Sequence, residues 1–433
     1  MIANWTPYRV DGEIGRFSFR RHRLEQEGEV IFDSRGDWFP ALVGEQWYPT
    51  HGFKEIAMFY GTAKRPYRET TLMINRLRRV EEPTPMRSLR EQSEREGAKL
   101  QAHLERTSEA ILEAHGLGVV EGGGRPEASF GATVVAQQAA GVVTAAIERC
   151  TDEAKAREEM AANPIPYEDP CWSVNVAVDD VGVKRQRAVR RSGGEPELET
   201  PVSEVTAGGT TEEKKYVQTT VAHVETEAGN YVLSGRGVIA LLWQVGAFLL
   251  ANGLIRRRLI VFVDGQRSLH LALAKVLSCW RTWQVILDWY HLEKRCRENL
   301  SLALKGRHIR NAVLEKLLAL LWDGRVGSAL DSLAHVPSEQ IKDPAELQKL
   351  SGYLERQRPH IPFYSVRKKL GLRNSSNRGE KENDLVVARR QKHDGMSWSP
   401  PGSIALAALA TATRNEEVER WLRTGEISFK LAA

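Results

Sequence analysis

Residues 259–265 read Leu-Ile-Val-Phe-Val-Asp-Gly. Five consecutive apolar residues with no polar alternation are the pattern of a strand buried on both faces, as in a parallel sheet covered by helices. The run ends on a carboxylate, Asp264, and Gly265 then lets the chain turn tightly. A carboxylate closing a buried strand is costly to desolvate unless something pairs with it. The stretch therefore predicts an α/β fold and a partner for the acid.

The flanking sequence supplies the rest of a sheet. Upstream, "CWSVNVAVDDVGVKRQR" (171–187) alternates as a strand does, and a polar, Gly-rich loop follows. "YVQTTVAHVET" (216–226) and "NYVLSG" (230–235) read as two more strands joined at Ala228-Gly229. The uncharged run Val238–Ala251 is too short for a comfortable membrane span and closes at Asn252-Gly253, so it is expected to pack against the sheet. Downstream come the helix "SLHLALAKVLSCW", the strand "TWQVIL" and the helix "WYHLEKRCRENLSLAL", with Asp288 placed to cap it. Three meandering strands, then helix, strand, helix, strand, helix, is the element order of a ribonuclease H-like α/β domain. That arrangement sets the first and fourth strands side by side and parallel, which brings acids on them close together.

On the first strand Val174, Val176 and Val178 point one way, and Ser173, Asn175, Ala177 and Asp179 the other. Asp179 is the preferred acid there and Asp180 the alternative. Two carboxylates on adjacent strands repel and raise each other's pKa. A divalent cation between them removes both penalties, and hard oxygen ligands suit magnesium or manganese. The third acid is expected in "NSSNRGEKENDLVVARRQKHDGMSW" (374–398), where Glu380 competes with Glu382. Asn377 followed by Glu380 also has capping-box spacing, which would make Glu380 only a helix start. Asp288 is the alternative second acid. His291 by default makes a structural hydrogen bond, and the minority reading puts it beside the metal centre.

The 433 residues allow two or three domains. Net charge is +5, mildly basic, so the placement of Lys and Arg matters more than their sum. The four cysteines lack CxxC spacing, which fits a reducing cytosol better than a disulfide framework or a zinc site. The N-terminus does not have the order of a signal peptide. Residues 1–115 are expected to form a mainly helical region. In it, two helices around a Gly-containing turn (about 53–79) resemble a helix-turn-helix unit, with Lys64, Arg65, Arg68 and Arg76 on a basic second helix. The charged helix at 88–115 reads as a self-associating arm or a connector. Residues 116–170 read as linker and helical connector, 305–370 as a helical insertion, and 401–433 as a tail. The catalytic domain then comprises 171–304 and 371–400. Lys184, Arg185, Arg187, Arg190 and Arg191 follow the first acid, and Arg367, Lys368, Lys369, Arg373 and Arg378 precede the third. These clusters are placed to meet phosphates. Trp398 has two readings, a stack on an unpaired base or a loop anchor.

Four stretches, "VAVDDVGVKRQ", "VFVDGQRSLHLAL", "ILDWYHLEKR" and "GEKENDLVVARRQKHDGMSW", resemble bacterial insertion-sequence DDE transposases of the broad Mutator-like group. The resemblance spans about 171–409 and, more loosely, the basic helices near 53–79. Glu380, Asn383, Arg389, Lys392 and the Gly395-Met396-x-Trp398 ending fall in that family's order, and "DWYH" matches its Asp-x-x-His feature. The Gly directly before Glu380 and the second Glu two residues later depart from it. The resemblance implies Asp179, Asp264 and Glu380 as an acidic triad with His291 accessory, and Arg389 and Lys392 near DNA. It implies two magnesium or manganese ions, ~4 Å apart, for hydrolysis at an element's end and transfer of the 3′-OH to target DNA. Double-stranded DNA as partner, a dimer or higher oligomer on it, and a place in the bacterial nucleoid away from membranes follow as expectations. The rival expectations are a structure-selective nuclease or resolvase on the same fold and a non-catalytic DNA-binding regulator.

Overall fold

The computed structural model describes residues 7–12, 15–20, 23–27, 29–33, 47–78, 83–117, 137–163, 173–186, 215–277, 283–393 and 395–431. Arg187, Arg190 and Arg191, Cys171 and Cys279, and the Gly-rich loop before 215 lie outside them.

The N-terminal region begins with strands rather than helices. β1 (Pro7–Gly12) pairs antiparallel with β2 (Gly15–Arg20) and parallel with β5 (Trp47–Pro49), and β3 (Arg23–Gln26) pairs with β4 (Glu29–Asp33). These strands precede the helices expected for this region, whose described residues remain mainly helical; strands of three to six residues are too short to show a clear alternation in sequence.

Two helices follow, α1 (His51–Gly61) and α2 (Tyr67–Arg78). Thr50 caps α1 by accepting from the Phe53 N–H at 3.3 Å. Both pack on α3 (Met86–Ala114), whose Leu89, Leu100, Leu104 and Leu112 are buried. This long helix is neither a free arm nor a connector. It packs most extensively against α15 (Pro400–Arg414), so the segment read as a tail closes the core. A Cβ on Gly97 would lie 2.1 Å from the Ala405 carbonyl oxygen, so the two helices touch backbone to backbone there. Between them in the chain come α4 (Gln137–Ile147) and α5 (Glu153–Ala162).

The central sheet is mixed and five-stranded, and the chain is α/β. β6 (Ser173–Lys184) pairs antiparallel with β7 (Tyr216–Thr226), which pairs antiparallel with β8 (Gly229–Gly235). On its other edge β6 pairs in parallel with β9 (Arg258–Val263), which pairs in parallel with β10 (Trp283–Leu287). The spatial order is β10-β9-β6-β7-β8. Parallel neighbours need crossovers, and α6 (Val238–Ala251) and α7 (Arg267–Leu277) provide them.

The two faces of the sheet feed separate cores. Val174, Val176, Val178, Leu259, Val261 and Val263 join α3, α6, α7 and α15. Ile260, Phe262 and Ile286 alternate to the opposite face. There they meet α8 (Trp289–Ala303), α9 (Arg307–Trp322), α10 (Val326–Ala334) and α11 (Pro344–Gln357). After α12 (Tyr364–Lys369) comes a helical segment built of α13 (Asn377–Asn383), a π-turn at Asp384–Ala388 and α14 (Arg389–Gln391). α16 (Val418–Thr424) ends the fold. Among the described residues no helix is long and apolar enough to cross a membrane.

Candidate active site

The parallel registers bring three carboxylates to one end of the sheet. β6 and β9 align Ala177 with Phe262, so Asp179 and Asp264 each come two residues later. β9 and β10 align Val263 with Leu287, and the Asp288 N–H still donates to the Val263 carbonyl at 2.9 Å. Asp179 and Asp264 line one small cleft together with Val178, Asp180, Val238, Gln266 and Leu269. It opens at the carboxyl ends of parallel strands, where open α/β sheets bind ligands.

Each acid is held differently. Asp179 accepts from the Asp180 N–H at 2.8 Å through Oδ1 and from the Asn383 side-chain amide through Oδ2. Its pKa is raised, first by burial and further by the Asp264 charge, while the two hydrogen bonds and His291 pull it down. Asp180 is exposed and accepts from the Thr220 hydroxyl, though it also lines the cleft. Asp264 Oδ1 accepts from the Gln266 N–H at 2.9 Å, a side-chain turn around Gly265, whose φ of +86° suits glycine.

α13 lies across β6, and a glycine makes that possible. A Cβ on Gly379 would sit 2.5 Å from the Ala177 Cβ. The Gly before Glu380 is therefore a point of close approach between helix and strand. α13 is also pinned from below. Asp288 is buried and accepts from the His291 N–H at 2.9 Å, the Ser376 N–H at 2.5 Å and the Ser376 hydroxyl at 3.1 Å. It caps α8 and ties the start of α13 to it. The capping-box reading of Asn377 and Glu380 is not what forms, since Ser376 holds the cap position and no side chain caps the helix.

Glu380 Oε1 is 2.9 Å from His291 Nε2. Glu382 points elsewhere: it is buried and makes a two-fold pair with Arg414, at 2.9 and 2.8 Å. The two glutamates are thus separated, one against His291 and one in a structural ion pair. Among the described residues, ligand atoms of Asp288, His291 and Glu380 lie within 4.8 Å of one another. Asp288 already accepts three hydrogen bonds of the roughly four a carboxylate can take, so this cluster is read as a lock between α8 and α13. Asp179 and Asp264 share their cleft, Glu380 does not line it, and Asn383 bridges α13 to Asp179. Asn383, Gly379 and Ser376 were legible only as residues of the segment, not by these roles.

The basic residues divide. Lys64, Arg65, Arg68 and Arg76 are exposed around and along α2, and Lys184, Arg185, Arg389 and Lys392 are exposed too. Arg378 and Arg373 both pair with Glu225, so they are held against β7. Arg367 is buried, with Nε and Nη2 donating to the Arg373 carbonyl at 3.0 and 2.7 Å, and its reading as a phosphate contact is corrected. Trp398 is also corrected as a base-stacking residue. Its indole is buried, its Nε1 donates to the Gln391 carbonyl at 3.0 Å, and its backbone pairs with the end of β6. The Arg390 guanidinium lies between the Tyr67 and Trp398 rings, 4.7 and 4.9 Å from their centroids, and donates to the Gly61 carbonyl. That joins the α1–α2 turn to the segment carrying Glu380.

A scan against protein-family models, a search of curated proteins and a search of solved structures each found no match to this chain.

Proposed function

We propose that the chain is a metal-dependent DNA strand-transfer enzyme, a DDE transposase built on a ribonuclease H-like sheet with a helical insertion at 305–370. The observation that carries this reading is the shared cleft of Asp179 and Asp264 on adjacent parallel strands, with the Glu380 helix seated on the strand of the first. The strand order, three antiparallel strands followed by two parallel additions on the β6 edge, supports it.

The Asp179–Asp264 cleft fits a hard divalent cation, while Glu380 rests against His291 outside it. Asp179 is half-buried, and both that burial and the second carboxylate raise its pKa, a cost that a shared cation would relieve. Asp179, Asp264 and Glu380 would hold magnesium or manganese, with oxygen ligands throughout. Bound ions supply a lowered pKa for water and charge stabilisation at the scissile phosphate. Asn383 orients Asp179, the Gly265 turn orients Asp264, and His291 holds Glu380 until substrate arrives. The exposed cations of α2, with Lys184, Arg185, Arg389 and Lys392, supply contacts to the phosphates of double-stranded DNA. Joining two DNA ends requires a dimer or larger assembly on DNA, in the bacterial nucleoid.

The test is a strand-joining assay with magnesium and DNA from the flanks of the gene. Cleavage with joining that is lost in Asp264→Ala and Glu380→Gln is the expected result. Cleavage without joining would leave a nuclease or resolvase instead. Specific DNA binding with no cleavage in any variant would leave a DNA-binding regulator.

A further inference from the structure

We propose that α11, within the segment 305–370, is a brace that sets the position of Asp264, with Gln357 and Tyr353 as its positioning residues. This rests on the reading of Asp264 as a metal ligand.

Tyr353 and Gln357 are one helical turn apart and so share a face of α11. That face meets the apex of the Asp264–Gly265–Gln266 turn. Gln357 Nε2 donates to the Gly265 carbonyl at 3.4 Å. A Cβ on Gly265 would lie 2.9 Å from the Tyr353 hydroxyl, 3.1 Å from Leu287 Cδ1 and 3.5 Å from Gln357 Nε2. The turn is therefore in contact with α11 on one side and β10 on the other, and Asp264 Oδ1 is fixed from within by the Gln266 N–H. The carboxylate has little freedom left except at its second oxygen.

Stability alone does not account for Gln357. It is 7% exposed, and among the described residues its buried Oε1 has no hydrogen-bond partner and its one side-chain hydrogen bond is to the turn. A buried amide with an unsatisfied acceptor is a net cost to folding. A residue kept for packing would be served better by Leu or Met.

The brace also reaches the other side of the site. The Arg295 guanidinium lies 5.6 Å from the Tyr353 ring centroid. Arg295 is one turn beyond His291 on α8, and His291 contacts Glu380. Tyr353 thus touches the Asp264 turn directly and the His291 helix through Arg295. On this account the inserted helices hold two of the three acids at a fixed separation.

Residues that support metal ligands typically change metal affinity about 10- to 100-fold when removed. The experiment is a manganese titration of the full chain by calorimetry, which needs no DNA and no turnover. Gln357→Met keeps the volume and deletes the donor. It should weaken manganese binding about 10-fold with a thermal unfolding midpoint at or above the parent's. Gly265→Ala should weaken it at least as much, and adding Tyr353→Phe, which removes the obstructing hydroxyl, should recover part of the loss. If Gln357→Met and Gly265→Ala bind manganese as tightly as the parent while Asp264→Ala does not bind, the brace is refuted and the metal site stands. If Asp264→Ala binds as the parent does, the metal assignment itself fails, and the brace with it.

Discussion

Gly379→Ala should separate stability from activity. The added Cβ would lie 2.5 Å from the Ala177 Cβ, against an optimum of ~3.5–4.0 Å for carbon atoms. The helix must therefore lift from β6 by roughly 1 Å. Overpacking of that kind costs about 1–3 kcal/mol. Replacing glycine by alanine inside a helix returns about 1 kcal/mol. The net loss of stability is then about 0–2 kcal/mol, small enough to leave the protein folded. Activity should respond far more strongly. Glu380 follows Gly379 directly and Asn383 holds Asp179, so lifting α13 moves one acid and loosens another. A misplacement of about 1 Å can cost about 100-fold in rate. The assays are denaturant unfolding and magnesium-dependent strand cleavage on the same preparation. The second variant moves the methyl across the contact: Ala177→Gly with Gly379→Ala should restore most of the rate. Parent-like cleavage by Gly379→Ala, or no recovery in the double variant, would refute the claim that helix–strand distance sets this site.

The two glutamates of α13 should separate in the same assays. Glu380→Gln should abolish cleavage and leave stability within about 0.5 kcal/mol, as for other partly exposed positions, whereas Glu382→Gln should cost about 1–3 kcal/mol through its Arg414 pair and keep the rate per folded molecule. In chelator, the raised Asp179 pKa makes its contribution to stability largest in acid, and it is lost as pH rises through that raised value. Asp264→Asn removes one raising charge and keeps the Gln266 contact, so thermal melts should show the variant equal to the parent in acid and more stable at neutral pH. Arg68→Ala and Arg76→Ala should each reduce the salt slope of DNA binding by about 1, measured by fluorescence anisotropy, whereas Trp398→Phe should lower the melting temperature and leave that slope unchanged.

Several features of the candidate site can be read from the chain because they are local. Alternation along 173–179 distinguishes Asp179 from Asp180, and although both line the cleft they have different partners, one accepting from Asn383 and the other from Thr220. The unbroken apolar run before Asp264 marks a strand that sits between two parallel neighbours. Asp288 can be read as a cap, and it accepts from the His291 N–H. Other readings fail because folding supplies partners that no hydrophobic period records. Arg367 looks like a phosphate contact until it folds back on Arg373, whereas Arg378 stays exposed beside Glu225. Trp398 has the composition of a stacking residue, but the end of β6 and Gln391 enclose it. The helix at 86–114 shows a charged surface in sequence, while its apolar stripe is taken up by α15, more than 280 residues further on.

By itself the sequence determined the strands of the central sheet, the tight turn after Asp264 and the order of elements along that sheet, since hydrophobic period and backbone sterics act over a few residues. Tertiary structure alone decided which glutamate faces His291, why a glycine must precede it, and which arginines stay free. Those choices depend on distances between segments far apart in the chain, and no local period records them.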